Sequence, residues 1–254
     1  MTTRQSSSTG QPLLRVEGLR KAFGAVVVAD GIDLELMPEV PVGIIGPNGA
    51  GKSSLLNLVG GQLTPDEGRV LLDTHDVTHW PASRRCHAGL GRTYQIPHPF
   101  GRMTVLENVE VGAVFGAHMG AAEARRWALE CLTLCGLTHR QTELAGELRL
   151  LDRKRLELAR ALATRPRLLL LDEIGGGLTE HEVHALIETI RAVQSMGVTI
   201  VWIEHIVHAL VAVVERLIVL HFGRILADGP PRTVLQDPLV REIYLGLQAD
   251  VESC

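Results

Sequence analysis

The chain has 254 residues, 46% hydrophobic and 21% charged, which is enough to bury one globular core of the larger sort. A formal net charge of -4 gives no basic surplus and an aromatic content of 4% disfavours base-stacking surfaces, so nucleic acid is not expected as a partner. No apolar run approaches the ~18 residues a bilayer span needs; the longest candidate, 209–220, is broken by Glu215 and Arg216.

Residues 1–11 are rich in Ser and Thr, lack an apolar stretch, and read as a disordered tail rather than a signal peptide. Segments 13–17 and 32–36 alternate as strands do, with 21–24 between them. Phe23 fits either an adenine-stacking platform or a core anchor for the loop. The apolar run 42–45 then has the character of a buried parallel strand. It leads into Gly46, Pro47, Asn48, Gly49, Ala50, Gly51, Lys52 and Ser53, a full match to G-x-x-x-x-G-K-[ST], and Ser54 continues into a helix-like pattern over 54–59. Glycines allow the backbone to wrap a phosphate, and amides at the helix N-terminus face the negative charge. Lys52 is placed to reach the terminal phosphates and the Ser53 hydroxyl to ligate Mg²⁺. This is a nucleotide-binding loop.

Further along, 68–73 reads as a strand, 81–87 as a short helix, and 90–95 as a strand ending at Gln95, before Pro97 and Pro99. From 103 to 164 the pattern is helical. Apolar residues at 124, 127, 128, 131, 132 and 135 form one helix face, and Asp152 opens a second helix over 153–164, stopped by Pro166. Four leucines at 168–171 form a strand buried on both faces, ending in Asp172 and Glu173, where α/β sheets place ligands. Asp172 suits a Mg²⁺ ligand and Glu173 a general base for an attacking water. A helix over 179–196 follows, then a buried strand over 197–203 ending at Glu204 and His205, a hairpin about Phe222 and Gly223, and closing helices near 232–236 and 238–245. Cys86, Cys131, Cys135 and Cys254 form no C-x-x-C pair, and Cys131 and Cys135, one helical turn apart, read as reduced core thiols. His181, Glu182 and His184 fall one residue short of an H-E-x-x-H zinc pattern.

With these motifs in order, the chain resembles an ATP-binding cassette (ABC) ATPase, the motor subunit of an ABC transporter, over nearly its full length. The resemblance implies an α/β P-loop NTPase fold with a mixed sheet core, an N-terminal antiparallel β region and an inserted helical subdomain. It implies a single cassette over 12–247, with the nucleotide-binding core at 12–95 and 151–247, the helical subdomain at 96–150 facing membrane subunits, and tails at 1–11 and 248–254. ATP and Mg²⁺ are the implied cofactors. Residues 46–53 become the Walker A loop, with Ser54 next to it among the nucleotide-binding residues, and 168–172 the Walker B strand. Gln95 becomes the Mg²⁺- and water-sensing glutamine, Glu173 the catalytic carboxylate, His205 the switch histidine and Phe23 the adenine-stacking aromatic.

Several segments are similar to the branched-chain amino acid importer type: 92–95, 103–109, 203–205 and the stretch from Gly223 through Tyr244, Leu245 and Gly246. That resemblance implies a cytoplasmic subunit, peripheral on the inner face of the membrane. Its implied partners are a second cassette in a heterodimer, two permease subunits and a periplasmic or extracellular solute-binding protein. Another importer or an exporter is the alternative. A non-transport cassette is disfavoured because no sustained heptads lie between Lys52 and Asp172. A P-loop small-molecule kinase is disfavoured by Glu173 after Asp172 and by His205.

One segment departs from the family. Its Leu-Ser-Gly-Gly-Gln signature aligns with Leu148, Arg149, Leu150, Leu151 and Asp152. In these dimers the signature of one subunit approaches the γ-phosphate held by the other. Leucine bulk, the lost serine hydroxyl and Asp152, read here as a helix N-cap carrying charge toward a triphosphate, all oppose that approach. Ile174 replaces a usual proline, and Gly176, Gly177, Leu178 and Thr179 lack the family's terminal aspartate. The expectation is an unequal pair, with this chain's own loops intact and its signature weak.

Overall fold

A computed structural model describes residues 10–249, with the side chains of 244–249 outside the description. The tails expected at 1–11 and 248–254 therefore lie mostly outside the described residues. Alternating apolar residues build two long antiparallel strands, β1 (Leu14–Phe23) and β2 (Val26–Leu36), which meet at a tip formed by Gly24 and Ala25. The two shorter strands expected here are extended because Phe23 pairs with Val26 and carries the ladder to the tip. β3 (Val42–Ile45) and α1 (Lys52–Gly60) come next. β4 (Glu67–Leu72) and β5 (His75–Asp76) then complete a four-stranded antiparallel sheet in the order β2-β1-β4-β5.

α2 (Ala82–His87) leads into β6 (Leu90–Arg92). β6 stops three residues before the expected Gln95. The Thr93 N–H still donates to the Leu170 carbonyl (2.9 Å), but Tyr94 and Gln95 leave the sheet as exposed residues. The helical stretch holds α3 (Val105–Val111), a π-helical turn at Gly112–Gly116, α4 (Ala121–Leu134) and α5 (Leu150–Ala163), with α3, α4 and α5 packed on one another. The periodic face of α4 is buried at Ala124, Ala128, Cys131 and Leu132; Trp127 stays partly exposed and donates its indole N–H to the Ala163 carbonyl (3.1 Å). Cys131 and Cys135 are free buried thiols, and burial pushes both well up from the usual thiol range.

The remaining elements are β7 (Leu168–Asp172), α6 (Glu180–Gln194), β8 (Thr199–Ile203), α7 (Val207–Val211), β9 (Arg216–His221), β10 (Arg224–Gly229), α8 (Pro231–Gln236) and α9 (Pro238–Ala249). They complete a six-stranded sheet in the order β10-β9-β3-β8-β7-β6, parallel apart from β10. The four consecutive leucines divide between its faces. Leu168 and Leu170 pack with α1 and the antiparallel sheet, while Leu169 and Leu171 pack with the helices. Each such burial contributes about 1.5–3 kcal/mol. Ile203 pairs with both Ile44 and Asp172, so β3, β7 and β8 end together and their three following loops converge on one sheet edge.

Candidate nucleotide site

The loop between β3 and α1 needs its glycines for steric reasons. A Cβ on Gly46 would stand 2.2 Å from the Leu220 carbonyl oxygen, and one on Gly51 would stand 2.2 Å from that of Val28. Gly51 is also left-handed (φ 101) and caps α1. Lys52 is buried, with its ammonium donating to the carbonyls of Gly46 (2.8 Å) and Pro47 (3.0 Å). Burial pushes the ammonium below the usual lysine range, against the pull of Glu173 and Asp172. A cleft of ≈ 280 Å³ opens over the loop, lined by Asn48, Gly49, Ala50, Lys52, Ser53, Ser54 and Glu173, and by Val26 and Val28 of β2. The two valines had no motif to mark them. Phe23, opposite Val26 at the hairpin tip, is 49% exposed, which rules out the core-anchor reading.

At the end of β7, Asp172 is buried against Arg92, whose Nη2 donates to Oδ2 at 3.1 Å. Burial raises this carboxyl from its ordinary range, and Arg92 draws it back down. Its Oδ1 is buried and takes no hydrogen bond, although the Ser53 hydroxyl is near enough to favour the ionised form. The next residue, Glu173, has φ 46, an uncommon backbone for a non-glycine residue, and its N–H donates to the Ile203 carbonyl (2.9 Å). That turn aims the carboxylate into a bracket: Gln95 donates Nε2 to Oε2 (2.6 Å), and His205 Nε2 lies 2.6 Å from Oε1. Three residues singled out on three separate segments thus meet at one carboxylate.

Three neighbours escaped the sequence reading: Arg92, Glu204 and Lys154. Glu204 is buried, its two oxygens accepting from the N–H groups of Gly175 (2.6 Å) and His205 (3.0 Å), so it straps the loop after Glu173 to the loop carrying His205. Burial raises its carboxyl from the ordinary range. Lys154 of α5, also buried, donates to the Glu173 carbonyl (3.4 Å). A charged residue in or beside an otherwise apolar strand is the signal that marks Arg92 and Glu204.

At the altered signature the structure corrects one expectation. α5 begins at Leu150 with Arg149 as its N-cap, so Asp152 lies inside the first turn rather than capping it. Asp152 is buried, with Oδ2 3.0 Å from Arg140 and Oδ1 3.8 Å from Arg155, so its charge is compensated inward. The residues left exposed are Arg149 and Leu150, the latter 44% exposed. Steric bulk therefore survives as an argument and like-charge repulsion does not.

A second concavity of ≈ 310 Å³ lies between the sheet and the helical stretch, lined by Gln62, Ser83, Cys86, Arg92, Tyr94, Gly112, Glu157, Arg160 and Thr164 among others. Phe100 lies beneath the Arg160 guanidinium (4.8 Å), and Phe100 and Phe115 are 44% and 70% exposed.

Residues 29–175 match the family described as "ABC transporter", and 224–250 match "Branched-chain amino acid ATP-binding cassette transporter". The chain is 34% identical over 251 residues to the high-affinity branched-chain amino acid transport ATP-binding protein LivG of Escherichia coli K12, covering 93% of this chain and 98% of that one. It is 32% identical over 254 residues to the lipopolysaccharide export system ATP-binding protein LptB of Acidithiobacillus ferridurans, covering 94% and 99%. A crystal structure of the ADP conformation of an ABC transporter cassette superposes with a TM-score of 0.84 at 32% identity, covering 93% of this chain and 100% of that one. The converging loops and these matches agree: the chain belongs to the ABC transporter ATP-binding family, whose fold is the P-loop NTPase cassette and whose activity is ATP hydrolysis.

Proposed function

We propose that this chain is the ATP-hydrolysing subunit of an importer for branched-chain amino acids or related small polar solutes, working as one half of an unequal pair of cassettes. The observation that carries the hydrolytic part is the bracket around Glu173. ATP enters the cleft over Gly46, Pro47, Asn48, Gly49, Ala50, Gly51, Lys52, Ser53 and Ser54, with its base against Phe23, Val26 and Val28. The Lys52 ammonium exchanges the carbonyls of Gly46 and Pro47 for terminal phosphate oxygens. Ser53, Asp172 and Gln95 present only oxygen ligands, with the buried Oδ1 of Asp172 unbonded, and no three-residue His, Cys, Asp or Glu cluster forms among the described residues. Such a sparse oxygen set suits Mg²⁺, which relies on phosphates and water for its other ligands. When bound, Mg²⁺ neutralises charge on the β- and γ-phosphates.

Both oxygens of Glu173 are occupied in the bracket. The carboxylate polarises a water best once Gln95 or His205 turns away and frees a lone pair, and a γ-phosphate within reach of His205 supplies that competing partner. Glu173 then takes the water's proton, the water oxygen bonds to the γ-phosphorus, and the β–γ bridging oxygen leaves with ADP. The bracket keeps the base silent until nucleotide is present.

The family match at 224–250 and the LivG relative support import; the LptB relative at 32% identity keeps export as a second reading. No helix among the described residues is long and apolar enough to cross a membrane. The subunit would be cytoplasmic, held at the membrane by two permeases and served by an external solute-binding protein. A cytoplasmic permease segment would occupy the second concavity, where Arg160 lies over the exposed Phe100 ring. The test is ATP-driven uptake of radiolabelled leucine by the complex reconstituted in vesicles. Solute-stimulated hydrolysis with leucine accumulation is expected, whereas stimulation by a lipid substrate and no uptake would favour export.

A further inference from the structure

We propose that Arg92 is a positioning residue linking the permease-facing groove to Asp172, so that whatever occupies the groove sets how this carboxylate is held. Arg92 belongs to both places: it lines the groove and lies 3.1 Å from Asp172 Oδ2, with both side chains only 7% exposed. Its Nη1 donates to Asn57 Oδ1 on α1 (2.8 Å) and to Gln62 Oε1 (2.9 Å). Gln62 in turn donates Nε2 to the Tyr94 hydroxyl (3.2 Å), and the Tyr94 ring lies 5.1 Å from the guanidinium carbon. Gln62 and Tyr94 are exposed on the groove wall. One unbroken line of polar contacts therefore runs from a surface a partner can touch, through Tyr94, Gln62 and Arg92, to a carboxylate a partner cannot touch.

The guanidinium suits this task because it is a planar, rigid fork. Its two ends cannot shift independently, so an occupant that draws Gln62 or Tyr94 away moves the end facing Asp172 as well. Asp172 cannot ignore that movement, because a buried carboxylate without its cation must reorient or find water. Arg92 holds Oδ2 and leaves Oδ1 unbonded, with the Ser53 hydroxyl the other side chain near this carboxylate. This line is separate from Gln95, which meets Glu173 and not Asp172. It rests on the proposed function only for the identity of the occupant.

The test reads the ratio of dissociation constants of a fluorescent ATP analogue without and with Mg²⁺, in the purified chain. Four proteins complete a cycle: wild type, Arg92→Met, Gln62→Ala and the double variant. Arg92→Met is expected to lower the advantage given by Mg²⁺ by about threefold or more while leaving metal-free affinity within about twofold. Gln62→Ala should act in the same direction and more weakly, and add nothing once Arg92 is gone. Should Arg92→Met fail to fold, Arg92→Lys, which keeps the charge and loses the fork, and Tyr94→Phe, which removes the acceptor of Gln62, complete the same cycle. An unchanged ratio, equal losses with and without metal, or independent multiplying effects of the two substitutions would each overturn the proposal. Permease binding enters none of these ratios, so a pull-down of permease by the same variants separates failure of the docking reading from failure of the coupling.

Discussion

Glu173 combines a left-handed backbone with a carboxylate held on both sides at 2.6 Å, and neither feature serves the strand it ends. Local strain maintained by its surroundings fits a group kept for chemistry. Glu173→Gln is therefore expected to retain ATP affinity and to reduce turnover by a factor on the order of 10² or more. Nucleotide binding and hydrolysis measured on one preparation check this, and wild-type turnover would contradict it. Lys52→Ala should abolish measurable nucleotide binding with the circular dichroism spectrum unchanged, since its buried ammonium already rests on the loop's own carbonyls; unchanged affinity would contradict the phosphate-loop assignment. Residues of this kind were legible because each sits in a pattern or at a strand end. Arg92 and Glu204 were not, because a single charge in or beside an apolar run shows nothing of its partner. Asn57 and Asp172, both bonded to Arg92, are separated from it by 35 and 80 positions in the chain.

At the scale of elements, α5 shows why the charge of Asp152 does not oppose a phosphate while the bulk of Leu150 does. Asp152 reads as a capping residue in the sequence, but the helix starts three residues earlier than that reading puts it and the carboxylate turns inward to Arg140 and Arg155. Asp152→Ala is expected to lower unfolding free energy by about 1–2 kcal/mol, read by urea denaturation; an unchanged midpoint would show the pairs to be idle. Restoring the family pattern should accordingly leave Asp152 in place. Arg149→Ser with Leu150→Gly and Leu151→Gly should raise hydrolysis at the site this loop completes, and cost roughly 1 kcal/mol of stability per glycine. No gain in turnover would show that leucine bulk is not the obstacle. Most of the α4 face was legible from its period and the buried strand from its unbroken run of leucines. The lengths of β1, β2 and β6 were not, because cross-strand pairing and a departing loop set them: Phe23 finds Val26, while Tyr94 and Gln95 leave the sheet after Thr93.

For the whole molecule, the proposed unequal pair follows from a sound phosphate loop and a poor signature on one chain. This chain's cleft, closed by a partner's intact signature, should carry most of the hydrolysis. The reciprocal site should be weak, since losing one preorganised donor to developing charge costs about 3 kcal/mol. On the proposed reading the helical stretch would face the permeases, and each turnover in the sound site would be passed to the membrane through the groove beside Arg92. The most direct measurement is ATP turnover of the mixed complex with the phosphate-loop lysine replaced in one cassette at a time. Lys52→Ala in this chain should remove most of the activity, and the matching substitution in the partner should leave most of it. Equal losses from the two substitutions, or full activity of this chain alone, would contradict the unequal pair.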